Sequence, residues 1–169
     1  RPPFQVFAWS DYVATFGGIG GLPPPCAASA AIAAFFANGG ETCWCLPATS
    51  TAPSDLVAAL RALDPDDPHQ PSPHPTLLAV PALAEAGAFE ARAILPEVLR
   101  FCADRGIFWA VDPPASANSI DALEIWLDQG PPLGESASSG AIYFPRLLVA
   151  NSSGTPSPKT IGPSGAVLG

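Results

Sequence analysis

Apolar residues in this chain fall into short unbroken runs, separated by stretches in which they recur every three or four positions. The clearest run is Gly106-Ile107-Phe108-Trp109-Ala110-Val111-Asp112-Pro113-Pro114. Five apolar residues, four of them β-branched or aromatic, are too few for a buried helix and predict a strand covered on both faces. Asp-Pro-Pro cannot continue a ladder, so the chain must leave the sheet there. This run is expected to be the central strand of a parallel sheet.

The other elements follow from the same two periods. Trp9 to Phe16 predicts a short helix, with Ser10 as a possible cap, Val13 and Phe16 on one face, and Gly17-Gly18 as its stop. Cys26 to Asn38 is alanine-rich, carries Ile32, Phe35 and Phe36 on one side, and ends at Asn38-Gly39-Gly40. Thr42 to Leu46 reads as a strand closed by Pro47, and Thr76 to Val80 as a buried strand closed by Pro81. Between them Leu56, Val57, Leu60 and Leu63 recur at helical spacing behind Ser54.

Ala88 to Asp104 predicts a helix with Ile94, Val98, Phe101 and Cys102 inward, kinked or restarted at Pro96 and stopped by Gly106. Ser119 caps a further helix carrying Ile120, Leu123, Trp126 and Leu127, which Gly130 and two prolines end. A polar loop, Glu135 to Gly140, leads into a strand from Ala141 to Val149, and residues 160–169 read as loop. The order β-α-β-α-β-α-β predicts an α/β fold: a mostly parallel, three-layer sheet with helices on both faces.

Composition adds three constraints. At 169 residues the chain is one domain, 1–169, with enough length for a proper core. Its mean hydropathy of +0.27 excludes a disordered tail. The 22 prolines exceed the roughly 8 of average usage and punctuate loops, above all a surface loop over residues 64–75. The chain opens at Arg1 without a methionine and reads as a piece of something longer.

Charge removes further function classes. Fifteen acids against seven bases give a net charge of −8, with no basic cluster, so a nucleic-acid surface is not expected. The longest apolar stretch, Ala27 to Ala37, is about half a membrane span of roughly 20 residues, so no membrane insertion is expected. Cys26, Cys43, Cys45 and Cys102 lack the further Cys or His of a metal site and read as small buried hydrophobes. Cys43 and Cys45, two apart on a strand, point to one face. No metal or cofactor is expected.

Catalytic constellations are thin. A Ser-His-Asp hydrolase would have to use His69 or His74, both in the proline-rich loop. No Gly-x-Ser-x-Gly elbow occurs, and Ser164 reads as lacking the strand-turn-helix setting such a serine needs. Asp64, Asp66 and Asp67 read as a solvated acidic tip. The Gly-rich residues 17–21 follow a helix and lack a Lys-Ser/Thr, so they read as a connection rather than a phosphate loop. Asp112 stands at a strand's C-terminal end, where ligands bind in open α/β sheets, although a turn former is the simpler reading. A hydrolase-like or small-ligand-binding domain centred on Asp112 is the alternative class.

Five stretches, in order, resemble the tail sheath family of contractile phages and related contractile injection systems. Ser10-Asp11-Tyr12 to Phe16-Gly17-Gly18 and Phe35-Phe36-Ala37-Asn38-Gly39-Gly40 are similar to that family's Phe-Gly-Gly and Phe-Phe-x-Asn-Gly-Gly pieces. Cys102-Ala103-Asp104-Arg105 through Asp112-Pro113-Pro114 resembles its helix-strand segment ending in Asp-Pro-Pro. Ala141-Ile142-Tyr143-Phe144-Pro145-Arg146-Leu147 is similar to its Ala-Leu-Tyr-Tyr-Pro-Trp strand, with Arg146 in place of tryptophan. Ile161-Gly162-Pro163-Ser164-Gly165-Ala166-Val167-Leu168-Gly169 resembles its Pro-Pro-Ser-Gly-hydrophobic-Ala-Gly signature, with Gly162 for the first proline and Leu168 where alanine is usual.

The resemblance implies a structural, non-enzymatic role. Sheath subunits stack as rings around an inner tube and contract to drive it through a target envelope. It implies a core sometimes described as subtilisin-like, without protease activity. The implied partners are other sheath subunits, the tail tube protein and baseplate components, in a virion tail or an injection particle assembled in the bacterial cytoplasm. The chain would be the folded core, without the terminal arms that exchange strands between neighbours in that family.

Overall fold

The computed structural model describes residues 3–17, 26–50, 52–63, 75–149 and 159–169. Strand β1 (Phe4–Val6) precedes helices α1 (Trp9–Phe16) and α2 (Ala27–Ala37) and strand β2 (Cys43–Cys45). Helix α3 (Pro53–Arg61), strand β3 (Leu77–Ala79), helix α4 (Ala88–Arg105) and strand β4 (Phe108–Val111) come next. They are followed by α5 (Ile120–Asp128), β5 (Gly140–Ile142), β6 (Leu147–Val149), β7 (Lys159–Ile161) and α6 (Ser164–Leu168). Single 3₁₀ turns cover Pro81–Ala84 and Glu135–Ser139.

The architecture is α/β. Strand β4 is central, as its apolar run predicts, with β3 and β5 parallel on either side. Trp109 pairs with Leu78 on one side and Gly140 on the other. A glycine is needed at 140, because a Cβ there would lie 2.9 Å from both the Leu99 Cδ2 and the Trp109 carbonyl. Trp109 and Ala110 are wholly buried, and only the leading Phe108 reaches solvent.

Helix α4 supplies the cover. Ala91, Ile94, Leu95, Val98, Leu99 and Cys102 recur at helical spacing and join Trp109, Val111 and Leu78 in one core. Leu56, Val57, Leu60 and Leu63 extend it from α3, and Trp126 from α5. The helix ends where Gly106 adopts the left-handed conformation, φ +66°, open to glycine at little cost.

Several expectations are corrected. The 43–45 strand does not join the parallel sheet; it pairs antiparallel with β1, so parallel pairing covers three of the seven described strands. The strand expected over 141–149 is two, because the chain turns at a cis Phe144–Pro145 bond and β6 pairs antiparallel with β7. Helix α4 runs through Pro96 as one helix rather than restarting. Ser10 and Ser54 lie inside their helices; α1 begins after Ala8, and the Asp11 carboxylate accepts the Phe7 amide at 3.2 Å. Residues 159–168 hold β7 and α6, not a loop. Ser119 does cap α5, accepting the Ala122 amide at 3.1 Å.

Candidate functional site

Where β4 ends, the chain places an ionisable group inside the protein. Asp112 is 2% exposed, between buried Val111 and the buried Pro113 and Pro114. A carboxylate there is costly unless it is hydrogen-bonded. Its partner is 52 residues away: the Ser164 amide donates to Oδ1 at 2.8 Å, and the Ser164 hydroxyl to Oδ2 at 2.6 Å.

Ser164 opens α6, whose first amides have no partner within so short a helix. Asp112 therefore performs, from another element, the work of an N-cap residue. Negative charge at that end also suits the helix dipole. Pro163, buried just before, brings no amide of its own to satisfy.

Two glycines permit the approach. A Cβ at Gly162 would fall inside the Asp112 carboxyl group, and one at Gly165 would fall on the backbone of Ala31 in α2. The first lets β7 pass over the carboxylate. The second lets α6 lie directly on α2.

Arg146 closes the cluster. Its Nη1 donates to the Ala84 and Pro113 carbonyls at 3.5 and 3.4 Å, and its Nη2 to the Thr160 carbonyl at 3.4 Å. These long bonds gather three separate segments around one guanidinium. Burial pushes the Asp112 carboxyl above its usual range; the two Ser164 hydrogen bonds and the Arg146 charge oppose that rise.

The structure thus brings together Asp112, Pro113, Ser164 and Gly165. Pro114 starts the next turn, its carbonyl accepting the Ala117 amide at 3.0 Å. Tyr143 extends the sheet by donating its amide to the Val111 carbonyl at 3.0 Å. Tyr143 and Phe144 are half-buried, and Pro145 lies exposed at the cis bond leading to Arg146. His69, His74, Asp64, Asp66, Asp67 and most of the glycine-rich stretch lie outside the described residues.

One expectation about Ser164 is overturned: it does stand at a strand-turn-helix junction, between β7 and α6. Its hydroxyl is nevertheless committed to Asp112, and the residue is fully buried. A nucleophile must be reachable by its substrate; in this arrangement the pair ties β4 to α6 instead.

Two features carry no obvious sequence signal. Arg92 is 4% exposed within the apolar stripe of α4. Its Nε donates to the Leu127 carbonyl at 2.8 Å and its Nη2 to the Pro131 carbonyl at 2.7 Å, which clamps α4 to the end of α5. Trp126 Nε1 adds a 2.8 Å bond to the Ala88 carbonyl. The second feature is a cavity of about 650 Å³ between β2, α2, α3 and β3, lined mainly by apolar side chains such as Ile32, Phe35, Leu46 and Leu60. Gly165 and Leu168 of α6 reach its wall, but Asp112 and Ser164 do not line it.

Among the described residues no three Cys, His, Asp or Glu side chains converge as metal ligands, and no helix is long and apolar enough to cross a membrane. Comparison of the chain with protein-family models, curated proteins and solved structures finds no match.

Proposed function

We propose that this chain is the α/β core of a contractile tail sheath subunit, a structural protein that packs with its own copies around an inner tube. The observation that carries the reading is the meeting of three motif stretches around one carboxylate. Asp112 comes from the Asp-Pro-Pro stretch and Ser164 from the Pro-Ser-Gly stretch, while Arg146, which replaces the family's tryptophan, reaches the Pro113 carbonyl from the Tyr-Phe-Pro stretch. Residues that resemble a family's signature gain weight when they form one buried tie rather than scattered surface turns.

The proposed role is mechanical, without catalysis. A subunit that passes force must move as one body between two sets of contacts. The tie from β4 to α6, and from α6 to α2, serves that need. The outer edges of β3 and β5 have no strand partner among the described residues, and such edges accept a strand from a neighbouring chain. In the finer form of the proposal, α2 and α6 cover one face of a three-layer core and α3 to α5 the other. The tube and baseplate are the remaining partners, in a phage tail or an injection particle.

The test is electron microscopy of the full-length protein carrying this chain, expressed alone and with its neighbouring tube protein. Cylinders of stacked rings are the expected result. A protein that stays monomeric in both settings, across salt concentrations, overturns the proposal.

A further inference from the structure

The described cysteines fall into three environments. Cys26 caps α2, its sulfur accepting the Ser29 amide at 3.4 Å. Cys102 is wholly buried in the α4 core, and burial pushes its thiol up to about 11, so it is chemically quiet. Cys43 and Cys45 are half-exposed, lie two apart on β2, and both line the 650 Å³ cavity. All four cysteines are free thiols.

We propose that Cys43 and Cys45 form a dithiol site on the cavity wall that chelates a soft thiophile bearing an apolar group, such as an organic trivalent arsenical. Three observations lead there. Alternate residues of a strand project to the same side, so the two sulfurs face one ligand together. The two thiols also perturb each other: Cys45 holds the Cys43 thiol below its usual range, while Cys43 and burial push the Cys45 thiol above its own. Beside them Ile32, Phe35 and Leu46 offer apolar room for the substituent.

Strand geometry selects a bridging atom over a direct disulfide. Two residues of strand span about 6.6 Å between Cα atoms. That is the upper end of the roughly 4.4–6.8 Å that disulfides accept, and the Cβ bonds run side by side rather than converging. A third atom inserted between the sulfurs relieves this misfit. Among the described residues no third Cys, His, Asp or Glu converges on the pair, so the site suits a ligand that needs two bonds.

The reaction balances without a redox partner. Phenylarsine oxide meets the thiolate of one cysteine of the pair, then the thiol of the other. Two As–S bonds form, the As–O bond breaks, and the two thiol protons leave with that oxygen as water. Arsenic stays trivalent.

The experiment treats the folded, reduced protein with phenylarsine oxide and reads intact mass, then maps which cysteines the adduct shields from alkylation. One phenylarsenic group per chain is expected, with Cys43 and Cys45 shielded together and Cys26 and Cys102 not. A dithiol competitor should remove it and a monothiol should not. Cys43→Ser and Cys45→Ser should each weaken retention by about 100-fold or more, the gain expected from tethering a second ligand. Cys26→Ala should leave retention unchanged. Shielding that pairs Cys26 with either cysteine, retention that survives both serine variants, or an adduct formed only after denaturation overturns the proposal. Mapping on the unsubstituted protein keeps the test decisive if a variant fails to fold, which circular dichroism reports.

Discussion

The parallel sheet and the β1–β2 pair are built from strands of three or four residues, yet they are held by different means. Around β4 the cover is apolar and close: Trp109 of the strand and Ile94, Leu95, Val98 and Cys102 of α4 are each at or below 2% exposure. Around β1 and β2 only Val6 is fully buried, while Phe4 is 38% exposed and all of β2 is half-exposed. Aromatic contacts do the joining there. Phe4 meets Phe16 edge-on at 5.7 Å, Trp9 stacks on Tyr12 at 5.3 Å, and Tyr12 lies 5.0 Å from Phe16. The Tyr12 hydroxyl reaches Ser29 of α2 at 3.0 Å. Strand length decides nothing here. What covers the strand decides how firmly it is held, and α6 is the piece that joins the firm region to the loose one.

The largest test of this contrast is a pair of truncations. Ile94→Ala, in the packed core, should cost about 2–5 kcal/mol. Ile32→Ala, on the wall of an existing cavity, should cost about 1 kcal/mol, close to the transfer loss alone. Denaturant midpoints measure both, and equal losses would break the contrast.

The joint comes next. Asp112→Ala leaves the Ser164 amide and hydroxyl without their buried acceptor, and should cost about 2–3 kcal/mol. Asp112→Asn keeps an acceptor for the amide and should lose less than half as much. If the two variants are equally damaged, the charge rather than the hydrogen bonds holds α6.

A pH series sharpens the same point. Burial raises the folded Asp112 pKa above its unfolded value, so the folded state holds its proton more tightly. The resulting stabilisation is fully present below the unfolded carboxyl pKa and is lost as pH rises through the folded one. Stability measured upward from the usual carboxylate range should fall in the native protein, and that component should vanish in Asp112→Asn.

The smallest expected effect lies in the loose region. Tyr12→Phe keeps the ring contacts and removes the Ser29 hydrogen bond, for a loss of about 1 kcal/mol. A loss as large as that of Ile94→Ala would mean the aromatic layer depends on its one polar tie.

Much of the firm region was legible in the sequence, because its signals are local. Five apolar residues before Asp-Pro-Pro mark β4, Ser119 marks the start of α5, and Gly106 marks the end of α4. The β1–β2 pairing was not legible: three residues at Phe4–Val6 carry no alternation long enough to read, and the orientation of β2 depends on that partner. Helix α6 was missed because Pro163 and Gly165 read as loop, and its cap comes from Asp112 rather than from a neighbour in sequence. For the site, the sequence marks Asp112 and Ser164 separately; nothing local announces their contact. Arg92 was hidden for a similar reason, since its partners are backbone carbonyls some 35–39 residues on.

The cap on α6 also sets an order of events. A helix of five residues has no stability of its own in water, since nucleation alone outweighs what it gains. It can form only after β4 has delivered Asp112 to the place where Ser164 arrives. The Ser164 amide thereby becomes a clock for the whole molecule: in hydrogen exchange it should open with the core strand β4, as slowly as Trp109, and well before it should come the amides of the half-exposed β2.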